Sequence, residues 1–354
     1  MNINELNIGN LHAKLPIIQG GMGIGVSLSS LSSAVANEGG IGIISAAQIG
    51  FREPDFKTNN LEANKRALIK EIRKARELSP KGIIGVNILH AASSYKDLVK
   101  TAADEKIDLI IVGAGLPIEL PELTLGSQTQ IAPIVSSGKA AALISRAWDK
   151  RYSYAPDAVI VEGPKAGGHL GFNKDELNRK PEIKLEDIVL DVINSLKPYE
   201  SKYNKNIPVI AAGGIFTGKD IAKYLKIGAS GVQMATRFVA THECDADIKF
   251  KEAYINAKEE DIKIIKSPVG LLGRAVQNDF LENYSGNEIS YCYNCLKNCS
   301  PKTAPYCITK ALISAVNGDV ENGLIFAGSN VYKVNKIVSV KELINELLAE
   351  IEQC

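Results

Sequence analysis

Short apolar runs recur along the first two thirds of the chain, at 15–19, 39–44, 82–88, 108–112, 131–135, 158–161, 207–212 and 231–235. They are rich in Ile and Val and lack polar alternation. Such runs read as strands buried on both faces, the mark of a parallel sheet. Between them, helical spacing of apolar positions runs over 28–37, 60–78, 93–103, 140–150, 185–196 and 217–227. Glu186 and Asp187 in the first turn of the fifth suit the helix dipole, and Thr217 is a cap for the sixth. Eight such units from residue 16 to about 240 predict an α/β fold closed as a (β/α)8 TIM barrel. Their regularity weighs against an open doubly wound sheet. Residues 1–14 read as a lead-in. The division expected is a barrel over 1–240 and a helical, Cys-rich C-terminal extension over 241–354, with helices at 246–258, 306–317 and 340–351.

The residues with distinctive chemistry fall just after the strands. They include Gln19 to Met22, Asn87, Gly113 and Gly115, Ser136 and Ser137, Glu162, His169, Gly213 and Gly214, and Gln233 to Thr236. In a barrel these positions share the carboxyl-end face, where active sites are built. His169 is one of four histidines and lies within Gly167-Gly168-His169-Leu170-Gly171. Glycines on both sides let the backbone pass close to something bulky while the ring points into that space. A histidine there suits acid–base chemistry near neutral pH, which makes His169 the candidate catalytic residue. The alternative is a turn histidine that only closes its loop.

Composition narrows the classes. Lys+Arg total 41 against Asp+Glu 40, a net charge of +1, which leaves no electrostatic footprint for nucleic acid. No apolar run is long enough to cross a bilayer, and the first residues lack the pattern of a signal peptide. The expectation is a cytoplasmic protein, in which cysteines serve as thiols or metal ligands rather than disulfides.

Two glycine-bearing loops follow neighbouring strands: 210–215 (Ile-Ala-Ala-Gly-Gly-Ile) and 231–236 (Gly-Val-Gln-Met-Ala-Thr). Barrels commonly hold a phosphate between these two loops by backbone N–H groups. Gly213 and Gly214 permit close approach, Ala235 is small, and Thr236 adds a hydroxyl. The stretch 20–25 holds four glycines in six residues but lacks the third glycine and the acidic partner of a Rossmann fingerprint. A phosphate at one side and a flat, glycine-lined space toward Gly21 and Met22 have the shape of an FMN site.

Four segments, 18–22, 161–169, 211–215 and 231–238, resemble the nitronate monooxygenase (2-nitropropane dioxygenase) family, which includes the FMN-dependent enoyl-ACP reductases. The likeness covers about residues 10–285. It implies a (β/α)8 barrel with non-covalent FMN. It places Asn87 at the isoalloxazine or ribityl chain, Gly21 and Met22 against the ring, and Gly214, Gln233, Met234, Ala235 and Thr236 at the phosphate end. His169 matches the family's catalytic histidine. Ala235 departs from the usual glycine. Residues 172–184 form an expanded charged loop, and the helix near Ile188 is apolar, so no flavin contact is carried over from that helix. The activity implied is oxidation of alkyl nitronates by O2 to a carbonyl compound and nitrite. One alternative is reduction of an enoyl thioester by NAD(P)H, for which no binding motif is visible. Another is a flavin-binding subunit without turnover. A homodimer is one assembly left open.

The extension adds two further features. Cys292, Cys295, Cys299 and Cys307 have the spacing C-x2-C-x3-C-x7-C, which suggests one centre of zinc or iron–sulfur type. Free thiols in a helical cap are the alternative, because the last spacing fits no established motif. Residues 267–278 read as a loop over the barrel mouth, in which Arg274 would meet an anionic substrate or form a surface salt bridge.

Overall fold

The computed structural model describes residues 3–268, 270–284, 289 and 291–354. A hairpin, β1 (Leu6–Ile8) and β2 (Leu11–Ala13), precedes the barrel strands β3 (Ile17–Gln19), β4 (Ile41–Ser45), β5 (Ile83–Leu89), β6 (Leu109–Gly113), β7 (Gln130–Val135) and β8 (Val159–Glu162). β9 (Gly168–His169) leaves the barrel, and β10 (Val209–Ala212) and β11 (Gly231–Met234) complete it. The eight parallel strands close in the order β10-β11-β3-β4-β5-β6-β7-β8, with Val209 to Ala212 in register with Val159 to Glu162.

Helices alternate with the strands: α1 (Ser29–Asn37), α2 (Asn60–Leu78), α3 (Tyr95–Asp104), the short α4 (Leu120–Leu123), α5 (Gly138–Tyr152), the short α6 (Lys174–Asn178), α7 (Leu185–Tyr203) and α8 (Gly218–Lys226). A one-turn helix, α9 (Thr236–Val239), leads into α10 (Ile248–Asn256).

The apolar strands divide their side chains between two cores, as a period of two requires. Ile18, Ile41, Ile43, Ile111, Ile160 and Ile210 form a cluster inside the barrel, joined by Leu6, Ile8 and Ala13 of the hairpin. The lead-in therefore plugs the amino-terminal end of the barrel. Ile17, Ile44, Val86, Val161 and Val232 belong to the larger cluster beneath the helices. A strand buried on both faces shows no alternation, which explains the unbroken apolar runs.

The chain after residue 240 contains more sheet than its sequence suggested. β12 (Ile262–Lys266) and β13 (Leu272–Val276) form an antiparallel hairpin, and β14 (Ile325–Phe326) and β9 pair with β13. Leu272–Val276 lies within the stretch read as a loop. Its Gly273-Arg274 pair masks the strand pattern, and pairing on both sides supplies what propensity does not. Three helices follow: α11 (Asp279–Asn283), α12 (Ile308–Val316) and α13 (Val340–Glu352). Leu343, Leu347 and Ile351 of α13 are fully buried in the core shared with the barrel helices. Each such side chain contributes about 2 kcal/mol of burial. Asp245 ties this region to α1, accepting hydrogen bonds from the N–H groups of Leu28 (2.8 Å) and Leu31 (3.2 Å). It supplies the cap that Leu28 cannot. No helix among the described residues is long and apolar enough to cross a membrane.

Candidate active site

His169 is held by a strand rather than a free loop. β9 pairs with β13, setting His169 opposite Gly273 and Gly168 opposite Arg274. Gly168 adopts φ +74°, and a Cβ there would meet nothing within 4 Å. The glycine is needed for the left-handed turn and not for space. The His169 ring makes an edge contact with Phe326, centroids 5.2 Å apart, and its Nε2 lies 2.7 Å from Ser267 Oγ. Burial lowers the imidazole to about 4, so the ring is neutral at physiological pH. Sequence reasoning missed Ser267. Its only signal was the Ser-Pro turn before β13, and the partnership depends on the β9–β13 register.

The barrel mouth beside His169 is built from strand ends. A Cβ on Gly21 would collide with Asn87 Cβ, so the chain at Gly21 lies directly against that side chain. Asn87 Nδ2 makes a long hydrogen bond to the Ile111 carbonyl, 3.4 Å. The N–H of Met22 donates to Ser27 Oγ, 2.8 Å, and the N–H of Ser27 donates back to the Met22 carbonyl, 3.0 Å, closing the turn after β3. Glu162 ends β8 opposite Ala212. Burial raises its carboxyl to about 7, leaving it poised between its two protonation states near neutrality.

The loops after β10 and β11 meet through a third segment that the sequence reading did not single out, residues 328–330. Gly213 and Gly214 both have left-handed backbone, φ +98° and +85°. Successive N–H groups in such a turn face one concavity. Asn330 Nδ2 donates to the Gly214 carbonyl (2.7 Å), the Gly328 N–H donates to Thr236 Oγ1 (3.3 Å), and the Ser329 N–H donates to the Lys165 carbonyl (3.2 Å). The Ser329 hydroxyl is buried and has no hydrogen-bond partner. Gln233 faces the mouth beside Gly20, whose Cβ would lie 3.3 Å from Gln233 Cγ, and Ala235 packs next to it. Met234 differs from expectation. Its side chain is buried in the core beneath the helices, and its carbonyl accepts the Gly20 N–H at 2.8 Å. A neighbour of Gln233 on the same strand must point the other way.

Arg274 is half-buried and donates to the Ala166 carbonyl, which braces the loop before His169. Among the described residues no group of three or more His, Cys, Asp or Glu side chains could hold a metal ion. The four cysteines lie within electrostatic reach of one another but differ in exposure: Cys292 is exposed, Cys295 is buried among Tyr306, Ile308 and Leu324, and Cys299 and Cys307 are half-buried. All are free thiols, and burial pushes those of Cys295, Cys299 and Cys307 upward.

A small apolar cavity of about 50 Å³ is lined by His169, by Ile24, Ile88 and Leu98 of the barrel side and by Cys295, Leu296, Ile308 and Leu312 of the extension. The strip carrying Leu296 is fixed by hydrogen bonds from the Ser93 N–H to the Cys295 carbonyl (3.1 Å) and from the Lys297 N–H to the Ala91 carbonyl (3.0 Å).

A family model described as nitronate monooxygenase matches residues 4–350, nearly the whole chain. The chain belongs to the nitronate monooxygenase family. Family membership makes it an oxidoreductase and implies FMN as its cofactor. A probable nitronate monooxygenase of Staphylococcus aureus is 26% identical over 302 residues, covering 78% of this chain and 79% of the relative. Among solved structures, FabK from Thermotoga maritima is 29% identical with a TM-score of 0.74, covering 96% of this chain and 94% of that one. A nitroalkane oxidase from Streptomyces ansochromogenes, 23% identical with a TM-score of 0.74, shares the fold over 96% of both chains.

Proposed function

We propose that this protein is an FMN-dependent nitronate monooxygenase that oxidises alkyl nitronates with O2 to a carbonyl compound and nitrite. The observation that carries the reading is the neutral imidazole of His169, held by Ser267 at the head of an apolar cavity in the barrel mouth.

The residues present fit the cofactor. The phosphate would be held by the N–H groups at Gly213 and Gly214, the Thr236 hydroxyl and the unpartnered hydroxyl of Ser329, a donor set suited to a phosphomonoester. Gly21, Met22 and Asn87 would lie against the flat ring, with Gln233 and Ala235 beside them. The flavin, when bound, supplies one- and two-electron chemistry toward the substrate carbon and dioxygen. Met234 contributes to this site only through the strand it belongs to.

The chain's own residues do the rest. Ser267 occupies Nε2 of His169 and leaves Nδ1 as the nitrogen that meets the substrate. A neutral ring can accept the proton from the α-carbon of a nitroalkane, or donate a hydrogen bond to a nitronate oxygen once the carbanion exists. The apolar walls lower the polarity around the reacting carbon, which strengthens both interactions.

A second reading, NAD(P)H-dependent reduction of an enoyl thioester, is favoured by the likeness to FabK. Anaerobic mixing separates the two. The FMN-loaded protein is expected to lose its visible absorbance with an alkyl nitronate and to keep it with NADH or NADPH. Bleaching by a nicotinamide alone would transfer the assignment to the reductase.

A further inference from the structure

We infer that Lys165 pairs its ammonium with the phosphate of bound FMN, and that this contact makes the protein prefer the phosphorylated flavin to riboflavin. The inference rests on the cofactor reading above for the identity of the ligand. The selectivity itself comes from the charge.

Three observations carry it. The first is the course of the Lys165 side chain. The turn at 163–166 is closed by the Ala166 N–H on the Gly163 carbonyl (3.2 Å). It packs on the loop after β10, where a Cβ on Gly213 would lie 3.1 Å from both the Gly163 carbonyl oxygen and the Ala166 nitrogen. A Cβ on Gly214 would lie 2.8 Å from Lys165 Cβ, 3.6 Å from its Cγ and 3.3 Å from its Cδ. The stem of Lys165 is therefore laid along Gly214. Its ammonium, two bonds beyond Cδ, is within reach of a group held at that glycine.

The second observation is the state of the charges around the cradle. Lys165 is exposed, and among the described residues it has no ion-pair partner. Arg237, the cation that follows Thr236, is already taken. It lies 2.9 Å from Glu346 and donates to the Phe216 carbonyl (3.1 Å). Asp220 adds a negative charge at the end of the same loop, accepting the N–H groups of Phe216 (3.0 Å) and Thr217 (2.9 Å). A phosphomonoester brings nearly two negative charges. The N–H groups at Gly213 and Gly214 and the hydroxyls of Thr236 and Ser329 are neutral donors. A cation beside them supplies the attraction that they lack.

The third is anchorage. The Lys165 carbonyl accepts the Ser329 N–H (3.2 Å), and Asn330 Nδ2 donates to the Gly214 carbonyl (2.7 Å). The segment that brings the Ser329 hydroxyl thus also fixes the backbone of Lys165. Only the lysine side chain has to order when the ligand binds, which keeps the entropic cost small.

Riboflavin has the same ring and ribityl chain and lacks only the phosphate, so comparing the two flavins isolates the charge. The test is fluorescence titration of the full chain, stripped of flavin, with FMN and with riboflavin at low and high salt. Lys165→Met keeps the stem and removes the charge. It is expected to weaken FMN about tenfold at low salt and to leave riboflavin unchanged. Lys165→Arg should keep FMN affinity near wild type, and Lys165→Glu should weaken it beyond Lys165→Met. Added salt should weaken FMN in the wild type and act less on Lys165→Met, because an exposed charge pair is screened. Equal losses of FMN and riboflavin in Lys165→Met would make the residue a structural one and overturn the inference, as would an unchanged FMN affinity. A wild type that binds both flavins equally would overturn it and leave the flavin reading intact. A wild type that binds neither would remove the cofactor reading itself, and the inference with it.

Discussion

His169 Nε2 and Ser267 Oγ stand 2.7 Å apart although 98 positions separate them in the chain. The contact exists because β9 is stitched to β13, and Ser267 occupies the turn that opens into β13, closed by its own N–H bond to the Leu271 carbonyl at 2.8 Å. The barrel supplies the histidine and the extension supplies the group that aims it.

Replacing either residue should separate aiming from chemistry. His169→Ala is expected to lower kcat/KM for neutral nitroalkanes by about 10²- to 10⁴-fold, the range of a positioned acid–base group, and to affect preformed nitronates less. Ser267→Ala should cost roughly tenfold, about 1.4 kcal/mol, by releasing the ring, and Ser267→Thr should restore most of it. Steady-state kinetics on both substrate forms checks this. Equal losses for nitroalkane and nitronate in His169→Ala would contradict a base.

The two displaced titrations predict opposite pH effects on stability. The His169 ring is held at about 4, below its ordinary 6.5, so its contribution is complete above pH 6.5 and is lost as pH falls toward 4. Glu162 is raised to about 7 from 4.5, so its contribution is complete below pH 4.5 and is lost as pH rises through 7. Thermal melts across pH 4–8 should show His169→Gln losing less Tm than wild type on acidification. Glu162→Gln should lose less between pH 4.5 and 7. Parallel curves for wild type and both variants would remove the burial argument.

The phosphate cradle makes a binding prediction. Ser329→Ala should weaken FMN by about tenfold to a hundredfold, since a hydrogen bond to a charged group is worth about 1.5–3 kcal/mol. Gly214→Ala should weaken it further, because a side chain at φ +85° is strained and its Cβ would meet Lys165 Cβ at 2.8 Å. Quenching of FMN fluorescence on titration measures both. Unchanged affinity in Ser329→Ala would remove residues 328–330 from the cradle.

The cysteines should behave as six thiols of unequal reactivity. A disulfide-exchange reagent is expected to modify exposed Cys292 and Cys354 first and the buried Cys244 and Cys295 last, with all six reacting after denaturation. A chelator should leave the melting temperature unchanged. A chelator-induced drop in Tm, together with fewer than six reactive thiols, would restore the metal centre.

Much of this architecture was legible in the chain because both barrel cores are apolar. Runs such as Ile41–Ser45, with Ile41 and Ile43 turned inward and Ile44 outward, have no other comfortable home than a closed parallel sheet. The mouth residues were legible because strand ends carry them. The relationships made by distant segments were not. Ser267 and Ser329 are ordinary serines until β13 and the 328–330 turn bring them to the mouth. The strand at Leu272–Val276 is hidden by Gly273 and Arg274, and it forms because β9 and β14 offer it partners. Conversely, the four closely spaced cysteines suggested a centre, and they do stay near one another, but among the described residues they form no group that could hold a metal ion. Cys295 is drawn into an apolar wall, while Cys292 stays at the surface.

The measurement that bears most directly on the central claim is simultaneous recording of oxygen uptake and nitrite release by the FMN-loaded protein supplied with an alkyl nitronate. Oxygen consumption that begins with the nitronate, needs no nicotinamide, is accompanied by nitrite and falls less in His169→Ala than consumption driven by the neutral nitroalkane is the predicted result. Absence of oxygen uptake with every nitronate, alongside NAD(P)H oxidation driven by an enoyl thioester, would contradict it.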